Sequence, residues 1–174
     1  NALESKGFLQ KDPLSKLYHL GPAVVKLALV RENTYPMNRA ARSVLEALVD
    51  STGETAHLSM RDGPALSEQI IVETSYKGTR VYIDPAEPLP LHASASGLAV
   101  LSYMSPEERD SLLERKLTRH TERTVTCAST LRETTDLVRM KGFSISDGMF
   151  ESDVCGVAAP NFDNTKTEEH TSEL

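Results

Sequence analysis

The spacing of apolar positions changes along this chain, and the changes predict its elements. The segment NALESKGFLQKDPLSKLYHLG starts as the last turns of a helix, with Leu3 apolar, Lys6 in the final turn and Gly7 available for a left-handed C-cap. Two strand-like pieces follow, around Phe8 to Gln10 and Leu17 to Leu20, separated by the turn Lys11-Asp12-Pro13-Leu14-Ser15-Lys16 with a lysine at each end. A helix end followed by a hairpin with a basic tip is the back half of a winged helix-turn-helix. From Pro22 to about Glu32 the run AVVKLALVRE is apolar on almost every side, as suits a linker helix packed on several faces, for which a dimer partner is one candidate.

Pro36 opens a clearer helix. Met37, Ala41, Val44, Leu45 and Leu48 recur at steps of three and four, predicting a core-facing amphipathic helix until Ser51-Thr52-Gly53 stops it. The period then falls towards two, predicting antiparallel strands at about Thr55 to Met60, Gln69 to Thr74 and Thr79 to Ile83, separated by Arg61-Asp62-Gly63-Pro64 and Tyr76-Lys77-Gly78. Prolines at 85, 88 and 90 break the chain before LHASASGLAVL, which begins a helix to about Tyr103. Ser105-Pro106-Glu107-Glu108 is a capping box with Pro in the first helical position, and Thr130 with Glu133 repeats the box. Leu131, Thr135 and Val138 form the buried face of that second helix, which Gly142 ends. Strands are predicted at Phe143 to Ser146 and Val154 to Ala159, and 167–174, with three glutamates and no Lys or Arg, reads as a solvated tail.

Composition narrows the class. The chain is long enough for one sizeable domain, and its 39% hydrophobic and 25% charged residues are those of a soluble globular protein with no run able to cross a bilayer. Cys127 and Cys155 are too few and too far apart for a disulfide framework or a zinc knuckle, so both are expected as free thiols in a reducing cytoplasm. A net charge of -6 argues against nucleic-acid binding by the chain as a whole, while a local basic segment remains compatible with it. His92, His120, Cys127 and Cys155 have no metal-ligand spacing, and neither a metal nor a cofactor is expected.

Four pieces, in order and at this spacing, resemble the IclR family of bacterial transcription regulators. LESKGFLQKDPLSKLYHLG is similar to the end of the recognition helix, the wing and the entry to the linker. LPLHASASGLAVLSYMSPEERDSLL resembles the family's central helix pair, LRETTDLVRMKGFSISDGMFESDV its long helix and acidic strand, and CGVAAPNFD the next strand. The resemblance implies a dimer or tetramer with an N-terminal winged helix on operator DNA. It also implies a C-terminal α+β, GAF-like domain, an antiparallel sheet flanked by helices, that senses a carboxylate or aromatic acid. The expected division is 1–21 for the winged-helix remnant, 22–34 for the linker helix, 35–166 for the effector-binding domain and 167–174 for the tail. The missing part of the recognition helix is expected before Asn1, and a further strand between Lys166 and Thr167.

The chain departs from the family pattern at three places. Leu98 stands where the family usually has Lys, which removes a charge beside the expected pocket. The family's Cys before a hydrophobic-Ala-Ala run falls at Gly156, with Cys155 one place earlier, and a one-residue shift turns a strand side chain to the other face unless a bulge intervenes. The family's first acidic position falls at Ser146, with Asp147 beside it.

LHASASGLAVL itself admits three readings. His92 with Ser94 or Ser96 is a nucleophile and base pair, giving a small serine hydrolase, although no Gly-x-Ser-x-Gly elbow or orienting acid accompanies it. The small residues alternatively serve only to bring a helix close to a sheet, leaving a ligand-free dimerisation domain. In the third reading Ser94, Ala95, Ser96 and Gly97 offer backbone N–H groups at a helix N-terminus to an anion, and a carboxylate fits there. With the resemblance, Ser146, Asp147, Cys155 and Gly156 join them as effector-binding residues. Asp147, Glu151 and Asp153 are otherwise a solvated acidic loop, Cys155 a small buried residue, and Met60, Met149 and Phe150 either core or pocket wall. Lys11 and Lys16, with His19, are expected to contact DNA phosphates from the wing, or to be simply soluble loop residues.

Overall fold

The computed structural model describes residues 2–34, 36–63, 65–74 and 89–162. They belong to two units, one within Asn1–Leu58 and Ile70–Lys77 and the other within Ser59–Gln69 and Gly78–Leu174.

In the first unit, helix α1 (Ala2–Ser5) ends as the sequence predicts: Gly7 takes a positive φ of 74°, its N–H donates to Glu4 and that of Phe8 to Leu3. Strands β1 (Leu9–Lys11) and β2 (Tyr18–Leu20) pair antiparallel, Leu9 opposite Leu20 and Lys11 opposite Tyr18. Asp12 organises the turn between them by accepting from the amides of Ser15 at 2.7 Å and Leu14 at 2.8 Å, bonds that hold its carboxyl below the usual carboxylate range. Helix α2 (Pro22–Thr34) takes in the predicted apolar run AVVKLALVRE, and Val25, Leu27, Leu29 and Val30 stand exposed around it.

Helix α3 (Pro36–Thr52) corrects the predicted core positions. Val49 is buried and Ala41 and Leu45 are half-buried, at steps of four, whereas Val44 and Leu48 are exposed. The apolar arc is wider than the line of residues that finds a neighbour, so only part of it is covered. Strands β3 (Ala56–Asp62) and β4 (Ala65–Val72) form a hairpin around Gly63, whose φ is 58°. Strand β4 starts four residues before the predicted Gln69, because a tight turn at Gly63 lets pairing begin at once. The strand predicted at Thr79 to Ile83 and the tail lie outside the described residues.

In the second unit, strand β5 (Leu89–Pro90), which the prolines disguised, pairs antiparallel with β4, Leu66 opposite Leu89. Helices α4 (Ala95–Ser102), α5 (Pro106–Leu113) and α6 (Ala128–Lys141) follow. The N-terminus of α5 is the predicted one, Ser105 accepting from the Glu108 amide at 3.2 Å with Pro106 in the first turn. That of α6 is not. Its N-cap is Cys127, whose carbonyl accepts from Leu131, and Thr130 lies inside the helix because nothing in Ala128-Ser129 prevents an earlier start. Gly142 ends α6 in the left-handed conformation, φ 79°, and Leu131, Thr135 and Val138 are buried as expected.

The core joins Leu66, Leu89, Leu91, Leu98, Leu101 and Leu131. Leu98, with no exposed surface, is fully part of this core. Arg109 fastens α5 to α6 by donating to Thr135 at 3.1 Å and Asp136 at 2.8 Å, and Arg132 returns a bond to Asp110 at 2.8 Å. The hydrogen bond to Asp110 is the main reason the Arg132 pKa is raised. Strands β6 (Ser144–Asp147) and β7 (Cys155–Ala158) close the described fold as an antiparallel pair, so the unit is α+β with helices beside antiparallel strands.

Candidate functional site

The turn that precedes α4 is built from its own small residues. Ser94, in extended backbone, is the N-cap: its hydroxyl donates to the Pro90 carbonyl at 2.8 Å and accepts from the Gly97 amide at 3.1 Å. A Cβ on Gly97 would collide with the carbonyl oxygen of Leu91. Gly97 is therefore needed so that residues 91–94 can fold back over the first turn of the helix, a packing role that the anion reading did not anticipate. Ala95 presents an amide with no hydrogen-bond partner among the described residues, the kind of donor that a helix N-terminus holds out to an anion. Ser96 is half-buried beside it.

Strands β6 and β7 meet this turn with one face. The Ser144 hydroxyl donates to the Ala95 carbonyl at 2.6 Å and the Ser146 hydroxyl to the Ala93 carbonyl at 3.0 Å, both buried. A Cβ on Gly156 would stand 3.3 Å from that of Ala95, so the glycine admits β7 to the helix at close range. Ser94, Ala95, Ser96, Gly97, Ser146 and Gly156 thus come together around one turn.

Asp147 and Cys155 do not join them. The register is regular, with Ser146 opposite Gly156 and Asp147 opposite Cys155, and no bulge restores the shifted cysteine. Alternation sends Asp147 and Cys155 to the exposed face, which corrects the reading of Cys155 as a buried residue. Asp147 instead pairs with Arg123 at 3.0 Å, both largely exposed. Sequence reasoning missed Ser144 and Arg123. Ser144 was findable, since it lies two residues from Ser146 and period two puts both on one face, but the Arg123 pairing spans a loop and left no local signal.

His92 is 7% exposed and its Nε2 donates to the Thr118 carbonyl at 2.8 Å rather than to either serine. Its ring lies 5.7 Å from that of His120, which meets Phe150 edge to face at 4.9 Å. With the Ser94 hydroxyl committed as donor and acceptor, the serine and histidine pair is not assembled. Met149 and Phe150 pack against the core, and Thr121 and Thr124 donate to the carbonyls of Gly148 at 2.6 Å and Met149 at 2.7 Å, strapping residues 118–127 to the turn after β6. Among the described residues no group of three or more His, Cys, Asp or Glu is placed to hold a metal ion, and no helix is long and apolar enough to cross a membrane.

On the hairpin, Lys16 sits at φ 61° and its Nζ donates to the Pro13 carbonyl at 2.8 Å, while the Lys11 ammonium lies 5.5 Å from the centre of the Tyr18 ring. Both charges stay at the exposed tip.

Residues 33–170 match the family model described as bacterial transcriptional regulator IclR C-terminal. The chain is 28% identical over 162 residues to the HTH-type transcriptional regulator BhcR of Paracoccus denitrificans, covering 92% of this chain and 58% of that one. Among solved structures, an IclR transcriptional regulator of Silicibacter sp. TM1040 superposes with a TM-score of 0.80 at 38% identity, over 92% of this chain and 63% of its own. An IclR homologue of Microbacterium hydrocarbonoxydans, crystallised with 4-hydroxybenzoate, shares the fold with a TM-score of 0.84 at 23% identity, over 94% of this chain and 67% of its own. The chain thus spans a little under two thirds of the first two relatives.

Proposed function

The chain belongs to the IclR family of bacterial transcriptional regulators, and from that premise we propose that it is the sensing part of a DNA-binding regulator rather than a catalyst. The match over residues 33–170 carries this reading. In it, a small organic acid places its carboxylate at the first turn of α4, near the unpartnered Ala95 amide, with Ser96 and Ser146 at the edge of the site. Asp147 and Cys155 fall out of the proposed set because they share the opposite face of the strand pair.

The complete regulator acts as a dimer or tetramer in the cytoplasm, and the exposed Val25, Leu27, Leu29 and Val30 on α2 support a partner protomer there. Helix α1 and the hairpin are the end of a winged helix whose Lys11 and Lys16 contact operator phosphates. Effector binding biases one of two dimer geometries through α2.

Thermal shift with a panel of small organic acids, 4-hydroxybenzoate among them, tests the sensor reading, since a ligand of the native state raises stability. At least one acid should stabilise the fold, and Ser96→Phe should remove the shift. No stabilisation by any acid at millimolar concentration overturns sensing, and a shift that survives in Ser96→Phe moves the site away from α4.

A further inference from the structure

We propose that a solvent-open pocket of about 200 Å³ beside His92 is a second ligand site, which takes a small monocarboxylate with an apolar tail. Its walls are Leu91, Leu101, Leu112, Leu113 and Leu117, contributed by the turn before α4, by α4, by α5 and by the segment after α5. Leu91, Leu101 and Leu113 are buried core residues, so these walls are fixed by the packing of the unit rather than by mobile surface side chains. The hydrogen bond from His92 to Thr118 holds the segment after α5 against the same turn. The pocket is open to solvent on one side, so a short acyl chain would lie along its apolar wall with its head towards the opening.

The mouth supplies the selectivity. Arg115 and Lys116 line the cavity, are exposed, and have no acidic partner among the described residues. Their neighbour Glu114 does not neutralise them, because its carboxylate accepts from Arg132 at 3.4 Å. Two unpaired cations over an apolar wall, in a chain whose net charge is -6, form a local charge complement for an anion. His92 adds a polar group inside. A few polar groups set in an apolar wall are the usual make-up of a small-molecule site. The site shares the turn before α4 with the proposed effector site, but none of Ser94, Ala95, Ser96, Gly97 or Ser146 lines it.

Sodium hexanoate is the probe and hexanol its uncharged control, each titrated into the ¹⁵N-labelled chain with amide shifts as readout. The expected result is saturable binding on the order of a millimolar Kd, with shifts at Leu112 to Thr118 and little change at Ser144 to Asp147. Hexanol should bind about tenfold more weakly, as should hexanoate to the Arg115→Glu, Lys116→Glu double variant. Should that variant lose its fold, Lys116→Ala alone is to show a few-fold loss. Equal binding of hexanol and hexanoate, an undiminished affinity in the variants, or shifts confined to Ser94–Gly97 and Ser144–Asp147 would each overturn the proposal.

Discussion

The hydroxyl of Ser146 donates to the carbonyl of Ala93 at 3.0 Å, out of reach of water, and so ties strand β6 to the residue just before the N-cap of α4. Ser144 makes the matching bond to Ala95 one step along the same face. Together they hold the strand pair against the helix start while leaving the two serines no spare donor.

Ser146→Ala leaves the Ala93 carbonyl buried without its partner. The expected loss is about 1–3 kcal/mol, read as a lower urea midpoint with an unchanged slope. A midpoint equal to that of the parent chain would mean that the bond is replaced by water.

The two glycines that line the turn differ in how much room they leave. Gly97→Ala drives a Cβ into the Leu91 backbone, which cannot move without displacing the turn, and should cost about 2–3 kcal/mol. Gly156→Ala meets only the Ala95 methyl at 3.3 Å and should cost about 1 kcal/mol. Thermal melts that rank the two variants the other way round would refute the assignment of Gly97 to packing.

Cys127 caps α6 with its thiol beside Ser129. The Ser129 hydroxyl, then the Thr130 amide and hydroxyl and the Ser129 amide, stabilise its thiolate and lower its pKa to about 7. Alkylation by iodoacetamide should therefore rise with pH to half its maximal rate near pH 7. Ser129→Ala should move that midpoint upward, and an unchanged midpoint would show that the hydroxyl plays no part.

His57, in β3, is pushed below the ordinary histidine value of 6.5 by burial. A base whose folded pKa is depressed is protonated first in the unfolded chain. Its contribution to stability is thus complete above about pH 6.5 and declines as pH falls from there towards the folded pKa. Urea midpoints measured from pH 7.5 to 5 should fall in the parent and fall less in His57→Gln, whereas parallel curves would assign the decline to other groups.

How legible each feature was depended on how local its cause is. Ser105-Pro106-Glu107-Glu108 and Gly142 mark helix ends because capping is settled within a few residues. Thr130 misled because its capping box is a valid local pattern that an earlier start at Cys127 overrode. Leu98 read as a lost charge beside a pocket, and its side chain instead completes the core, where a lysine ammonium would need a route to water. The face of Cys155 depended on whether a bulge intervened, and the regular pairing with Asp147 answered that.

The sequence by itself determined the family, the start of α5, the C-terminal glycine caps at Gly7 and Gly142, and the small-residue stretch at the start of α4, since each is written in neighbouring residues or in their spacing. Only the tertiary structure decided what those small residues do. Gly97 yields to Leu91, Ser144 and Ser146 bond to Ala95 and Ala93, and His92 turns to Thr118, all contacts between positions that are close in space and, apart from the first, far apart in the chain. A side chain's partner is chosen by the fold, so the three readings of LHASASGLAVL could be separated only once the strands that pack against it were in place.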